Sequence, residues 1–140
     1  MQNLNVFQYF TKCINPNYVK FSGRARRMEY WSFQVVVFLV LILINFIQGV
    51  IPLYYGIFTI LIRVFLAAML LPSLAVTSRR LHDVGHSGLM ILILLLPIIG
   101  WIWLLVLLFK DSQHNTNQWG YNPKKPHSDI DIEVDFIGTE

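Results

Sequence analysis

Three long blocks of apolar residues constrain this chain more than any other feature. Residues 33–47 carry no charged side chain, residues 53–76 carry only Arg63, and residues 89–109 carry none. A hydrocarbon core about 30 Å thick requires roughly 20 helical residues, and each block reaches this length with its flanks. Only 14% of the residues are charged, whereas soluble domains have about 25%. The pattern predicts an all-α integral membrane protein.

The blocks also predict how the chain is organised. An amphipathic and basic segment over residues 1–31 precedes the transmembrane domain, which covers 32–110, and a polar tail over 111–140 follows it, acidic and disordered from 127. Within the transmembrane domain we predict about three transmembrane helices, over residues 32–51, 57–77 and 89–109.

The N-terminal segment contains an apolar stripe too short to span a membrane. Leu4, Phe7, Phe10 and Ile14 recur at helical spacing, which predicts a short amphipathic helix. Such a helix either lies in the membrane interface or packs on the rest of the protein, and the spacing alone leaves both alternatives open.

The distribution of basic residues predicts the orientation. No Lys or Arg occurs between residues 28 and 62, and Arg79 and Arg80 follow the second block. The positive-inside rule therefore predicts that the N-terminus and the loop 77–88 are cytoplasmic. The basic residues that precede the first block are Lys12, Lys20, Arg24, Arg26 and Arg27.

Two features of the apolar blocks leave alternatives open. Arg63 is an intramembrane charge, which either extends its side chain to the outer surface or is buried, where it pairs across the bundle or lines a polar cavity. Pro97 and Gly100 interrupt the block 89–109. We favour a single kinked span there, but a re-entrant hairpin would return the C-terminus to the cytoplasm, which suits Lys110, Lys124 and the neighbouring Lys125 better.

The polar segment RRLHDVGHSG at residues 79–88 is the most conspicuous candidate for a site. His82 and His86 are four residues apart, a spacing that suits a shared metal ion on one helical turn. Gly85 between them disfavours a helix, and no further ligands are evident. Nucleophilic catalysis would use Ser87 or Cys13 activated by a histidine, but adjacent small residues are common in turns and no oxyanion site is recognisable.

We favour a structural polar turn, with no bound metal and no cofactor. In this interpretation Arg79 and Arg80 bind phosphates or Glu29, while Asp83 caps the next turn. Gly85 and the nearby Gly88 permit a tight return into the membrane.

The segment FSGRARRMEYW at residues 21–31 stands before the first block. Ser22 is a candidate N-cap, and on the helix that follows Arg24 and Arg27 share a face with Trp31. Arginines with Tyr30 and Trp31 at the edge of an apolar run predict an anchor at headgroup depth.

Three ordered motifs resemble a known family. They are F-x-G-R-x-x-R-x-E-Y-W at 21–31, R-R-L-H-D-x-G-x-S-G at 79–88 and N-x-x-G-x-N-P at 117–123. Together they are similar to the YhaH/YhaI-type bacterial inner-membrane proteins, domain-of-unknown-function family 805. The resemblance covers roughly residues 5–123 and implies a small multi-pass protein of the bacterial inner (plasma) membrane whose biochemical function is not established.

The resemblance also implies which residues matter. His86 occupies a variable position of the second motif, and members more often have a tyrosine where this chain has Trp119. The motif residues that we take as candidate site residues are Gly23, Arg24, Arg27, Glu29, Tyr30, Trp31, Arg79, Arg80, His82, Asp83, Gly85, Ser87 and Gly88.

These observations predict a non-enzymatic module without cofactor. Its expected partners are the lipid bilayer with its anionic phospholipid headgroups, a second copy or another membrane protein, and no nucleic acid. The alternative is an oligomeric small transporter or channel subunit that uses Arg63, Asn45 and Gln48 as intramembrane polar groups.

Overall fold

Every regular element in the part of the chain that the structure describes is helical. The computed structural model describes residues 4–15 and 17–124. The α-helices are α1 (Val6–Ile14), α2 (Arg27–Val50), α3 (Tyr55–Asp83) and α4 (Ile99–Phe109), and 3₁₀-helices occupy Pro52–Tyr54 and Gly88–Leu95. Of these, α2 and α3 are long and apolar enough to cross a membrane. This agrees with the predicted all-α membrane fold.

The described residues divide into two compact units. The first unit contains Met28–Ala75 together with the residues up to Lys20, and the second contains Phe21–Arg27 together with the residues from Val76 onward. The first unit therefore holds α1 and most of α2 and α3. The second unit holds the last turns of α3, the 88–109 segment and the residues that follow it.

The ends of the long helices differ from the sequence prediction. The first long helix begins at Arg27 rather than after Ser22, because Gly23 has φ +93° and a helix requires negative φ. The helix α3 continues to Asp83, so residues 79–83 are helical and only residues 84–87 connect it to the next element.

In the first unit α1 packs against the beginning of α2. The rings of Phe10 and Phe33 stack with centroids 5.6 Å apart. Lys12 Nζ donates to Glu29 Oε2 at 2.7 Å, and the Glu29 side chain is buried. Of the two alternatives for this amphipathic helix, packing on the protein accounts for these contacts, although Phe7 stays exposed and is available to the membrane interface.

The helices α2 and α3 run in opposite directions because only a short turn joins them. The 3₁₀-helix Pro52–Tyr54 separates them, and Gln48 Nε2 donates to Thr59 Oγ1 at 3.1 Å across the pair. Most of their apolar side chains are exposed, and such a surface is stable only when lipid or another apolar surface covers it.

A proline inside α3 leaves one main-chain carbonyl without its helical donor, and a tyrosine of the first unit donates to it instead. Pro72 has no N–H to donate to the carbonyl of Ala68, four residues earlier. The hydroxyl of Tyr18 donates to this carbonyl instead. Because hydrocarbon offers no alternative donor, a freed carbonyl in a membrane helix must be satisfied by the protein or by water. Tyr18 therefore stabilises the proline turn of α3.

We predict that Tyr18→Phe lowers the free energy of unfolding by about 1–2 kcal/mol, since the Ala68 carbonyl loses its donor and the ring is kept. Unfolding of the detergent-solubilised protein, followed by circular dichroism, measures the loss. Tyr54→Phe is the matched control, because Tyr54 is exposed. Equal stability of the two variants would contradict the assignment.

In the second unit residues 88–109 form a hairpin in place of the one kinked helix that we favoured. A 3₁₀-helix runs from Gly88 to Leu95, the chain turns, and α4 runs back from Ile99. A Cβ on Gly100 would lie 1.8 Å from the Ile93 carbonyl oxygen, so only glycine permits this approach. The arms are about 16 Å long, which is half of a hydrocarbon core about 30 Å thick.

The residues after α4 are not a detached tail. Lys110, Gln113 and Asn117 form hydrogen bonds with the end of α3, which places the end of the hairpin at the same end of α3 as its beginning. The predicted disorder from residue 127 lies outside the described residues.

Candidate functional site

The first motif docks on the C-terminal end of α3 through three successive residues. The N–H of Ala25 donates to the carbonyl of Arg79 at 3.0 Å. His82 Nδ1 lies 3.2 Å from the Gly23 carbonyl oxygen. Between these two main-chain contacts lies Arg24, whose side chain is only 1% exposed.

The guanidinium of Arg24 binds one carboxylate and several main-chain carbonyls. Its Nε donates to Asp83 Oδ1 at 2.9 Å. Its Nη2 donates to the Gln113 carbonyl at 2.7 Å, and its Nη1 to the carbonyls of Asn115 at 2.9 Å and Gly120 at 3.2 Å. Since arginine carries five donors in a fixed plane, this side chain determines the course of the 113–120 loop.

Arg80 makes a second, equally buried set of bonds. Its Nη1 donates to Asp83 Oδ2 at 2.6 Å. Its Nε and Nη2 donate to the carbonyl of Leu108 at 3.2 Å, and Nη2 also donates to the carbonyl of Lys110. These carbonyls end α4, where a helix presents unsatisfied acceptors and a partial negative charge. Arg80 therefore caps the returning arm of the hairpin.

Asp83 joins the two arginines. Its side chain is fully buried and accepts from Arg24, Arg80 and the hydroxyl of Ser112. We call Arg24, Arg80, Asp83 and Ser112 the polar clamp. It contains two positive charges and one negative charge, and main-chain carbonyls oriented toward the guanidinium groups offset the remaining charge.

The third motif closes over the clamp. Asn117 Nδ2 donates to the His82 carbonyl at 2.9 Å, and the ring of Trp119 stacks on the His82 ring with centroids 4.6 Å apart. Gly120 has φ +128° and presents its carbonyl to Arg24. The aromatic position at which this chain departs from the family pattern therefore serves as a cover for His82.

Gly85 ends α3 in a Schellman motif. The N–H of Gly85 donates to the His82 carbonyl at 3.1 Å, and the N–H of His86 donates to the Leu81 carbonyl at 2.9 Å. Gly85 has φ +82°, which glycine adopts without strain. Gly88 is required for a different reason, because a Cβ there would lie 2.0 Å from the hydroxyl oxygen of Ser78.

This ending of α3 removes the geometry of the paired-histidine metal site. His86 lies beyond the helix, and its Nδ1 is 3.0 Å from the carbonyl of Val84, whereas His82 lies on α3 against Gly23. Within residues 4–15 and 17–124 no three His, Cys, Asp or Glu side chains form a group that could hold a metal ion. The Ser87 hydroxyl accepts from the N–H of Leu89, which is the role of an N-cap.

An exposed ion pair lies outside the clamp. Asp111 pairs with Arg27 at 3.1 Å and with Lys124. The hydrogen bond from Lys124, followed by that from the Ser112 N–H, lowers the pKa of Asp111 to about 2. Asp111 therefore stays ionised throughout the physiological pH range, although an exposed pair contributes little to stability.

The structure brings most of the candidate site residues into the second unit and leaves the others in the first. Glu29 lies in the first unit with Tyr30, which is buried and packs its ring against Trp31 at 5.3 Å. Arg63 also lies in the first unit and is exposed. The candidates in the second unit are Gly23, Arg24, Arg27, Arg79, Arg80, His82, Asp83, Gly85, Ser87 and Gly88.

Several residues of the site were missed in the sequence. Asn117 and Gly120 belong to the third motif, so their motif membership was a signal for them. No sequence signal identified Ser112, Gln113 or Asn115, because Ser112 acts through one hydroxyl and the other two through main-chain carbonyls.

The fold and the clamp together define an all-α integral membrane protein whose motif residues bind one another. The family of proteins of unknown function DUF805 matches residues 18–121, and this chain belongs to that family.

Two relatives have similar length. The inner membrane protein YhaI of Escherichia coli K12 is 43% identical over 108 residues, which cover 77% of this chain and 89% of YhaI. The inner membrane protein YhaH of the same strain is 37% identical over 113 residues, which cover 77% of this chain and 90% of YhaH. These names support an inner-membrane location. No solved structure matches this chain.

We predict that Asp83→Asn lowers the free energy of unfolding by about 3–5 kcal/mol, because two buried guanidinium groups lose their shared carboxylate. Thermal unfolding and the recovery of monodisperse protein in detergent measure the loss. The control is Asp111→Asn, which removes the carboxylate of an exposed pair and leaves stability nearly unchanged. A similar loss in both variants would argue against a central role for Asp83.

Proposed function

We propose that this protein is a non-enzymatic membrane interaction module whose polar clamp holds a re-entrant hairpin in place. The observation that carries the proposal is the internal use of the motif side chains. Arg24 and Arg80 are buried and bonded to Asp83 and to main-chain carbonyls, so the groups that resembled a reactive cluster serve to join chain segments. This leaves the helix faces and an exposed set of cations for contact with other molecules.

The contacts at the two ends of the hairpin support a topology with both ends of the described chain in the cytoplasm. Gly88 begins the hairpin against Ser78, and the carbonyls of Leu108 and Lys110 end it against Arg80. Both ends therefore meet the last turns of α3. Combined with the positive-inside rule, this supports a cytoplasmic N-terminus, a cytoplasmic 77–88 loop and a cytoplasmic 110–124 segment.

We predict that a green fluorescent protein fused after Glu140 is fluorescent and that alkaline phosphatase fused there is inactive, because both report a cytoplasmic C-terminus. Alkaline phosphatase inserted at Ile51, between α2 and α3, serves as the control and is active. An active phosphatase at Glu140 would show that residues 88–109 cross the membrane and would overturn this topology.

The surface available to anionic lipid differs from the cluster expected from the sequence. Arg24 and Arg80 are buried, whereas Lys20 and Lys110 are exposed and Arg26 is half-buried. Cations near a membrane surface attract anionic headgroups by about 1 kcal/mol each. The lipid-binding part of the proposal therefore rests on these three side chains.

We predict that the protein retains phosphatidylglycerol in preference to phosphatidylcholine, and that each change of Arg26 or Lys110 to Ala reduces this preference about fivefold. Native mass spectrometry of protein extracted from vesicles with equal amounts of the two lipids measures the bound molecules. The control is Lys12→Ala, which removes a cation already paired with Glu29. Equal retention of the two lipids by the wild type would refute lipid binding.

An oligomeric small transporter or channel subunit is the second candidate. It is supported by the exposure of Asn45 and Arg63 on apolar helices. Two spanning helices and a half-length hairpin are too few to enclose a pore, so this function requires self-association.

A further inference from the structure

Four polar side chains interrupt the apolar surface of the first unit. Asn45 and Gln48 lie on α2, and Thr59 and Arg63 lie on α3. We call these four residues the polar belt. The bond between Gln48 and Thr59 aligns the two helices. Asn45 lies three residues before Gln48 and Arg63 four residues after Thr59, so in this antiparallel pair they lie within about 1.5 Å of the same depth.

The two outer members of the belt are exposed and have complementary chemistry. Asn45 Nδ2 donates to the Leu41 carbonyl at 2.8 Å, which leaves its Oδ1 as an acceptor toward the surroundings. Arg63 is exposed, carries only donors, and forms no hydrogen bond with any residue of 4–15 or 17–124. The sequence has no Asp or Glu from residue 30 to residue 82. The two helices of the belt therefore supply no carboxylate to Arg63 at this depth.

In a hydrocarbon environment the exposure of Arg63 and Asn45 costs free energy. An arginine within a span costs several kcal/mol unless its charge is relieved, and an amide in hydrocarbon is costly without a partner. Arg63 lies eight residues after Tyr55, the first residue of α3, or about 12 Å along the helix. Extension of the side chain toward the outer surface relieves the guanidinium but leaves the Asn45 oxygen without a donor.

We propose that a second copy of this chain covers the polar belt, with Arg63 of each copy donating to Asn45 Oδ1 of the other. A two-fold axis parallel to the membrane normal preserves depth. Because Arg63 and Asn45 lie at similar depth in each protomer, the Arg63 of each copy meets the Asn45 of the other. The axis therefore produces two identical contacts. Hydrogen bonds between polar side chains stabilise the association of membrane helices in this way. The proposal deepens the interaction function proposed above and rests on it.

Self-complementarity favours a second copy over a different membrane protein. The belt contains both the donor and the acceptor, so an identical surface satisfies each, and no carboxylate from another protein is needed. The surrounding side chains are apolar and exposed, including Phe38, Ile42 and Phe46, and they supply the remaining contact surface.

The test is energy transfer between donor-labelled and acceptor-labelled full-length protein in phosphatidylcholine vesicles, measured as the protein is diluted in lipid. We expect a dimer whose dissociation constant rises about tenfold in Asn45→Leu and in Arg63→Met, because two polar pairs are lost. Asn45→Asp tightens the dimer, since a carboxylate then faces each guanidinium. The control Lys124→Met removes a cation of an exposed ion pair outside the belt and leaves the constant unchanged.

Three results would overturn the proposal. A monomer at every protein density excludes a second copy, and a dimer unaffected by both belt substitutions excludes this surface. Loss of affinity in Arg63→Met without loss in Asn45→Leu excludes the reciprocal pair. Cross-linking in native membranes distinguishes this dimer from the more general interaction function. A complex with another membrane protein, without self-association, would refute the dimer and would still support the interaction function.

Discussion

The carboxylate of Asp83, shared between Arg24 and Arg80, is the interaction on which the second unit depends. Asp83 is the last residue of α3, and a negative charge there opposes the helix dipole. The position is favourable only because two guanidinium groups meet the carboxylate at 2.9 and 2.6 Å. Each guanidinium in turn binds carbonyls from a distant segment, so one buried anion connects the first motif, the end of α3 and the end of α4.

The hairpin follows from the same bonds. Residues 88–109 are apolar throughout and are long enough to span as one helix, but Pro97 and Gly100 permit a break, and Arg80 supplies donors for the carbonyls at the end of the returning arm. A crossing helix would carry those carbonyls to the opposite surface and leave the guanidinium buried without them. The polar clamp therefore explains why the segment turns back.

Three arginines in this chain show that the role of a charged side chain depends on its burial. The arginines of the motifs look like ligands for phosphate in the sequence, but Arg24 and Arg80 are enclosed and act as connectors. Arg63 looks like an isolated intramembrane charge, and it is exposed at the depth of Asn45. The surfaces through which the protein meets other molecules are therefore the helix faces and the remaining cations, as proposed.

The sequence by itself determined the membrane class, the short N-terminal helix, the approximate positions of α2 and α3, and the motif residues that form the clamp. These follow from local properties, since hydropathy, helical spacing and motif membership depend on neighbours in the chain. Tertiary structure alone decided that 88–109 turns back, that Ser112 and the carbonyls of the 113–120 loop complete the site, and that Tyr18 satisfies the Ala68 carbonyl. These features depend on hydrogen bonds between residues up to 96 positions apart, and main-chain carbonyls carry no side-chain signature from which such partners can be read.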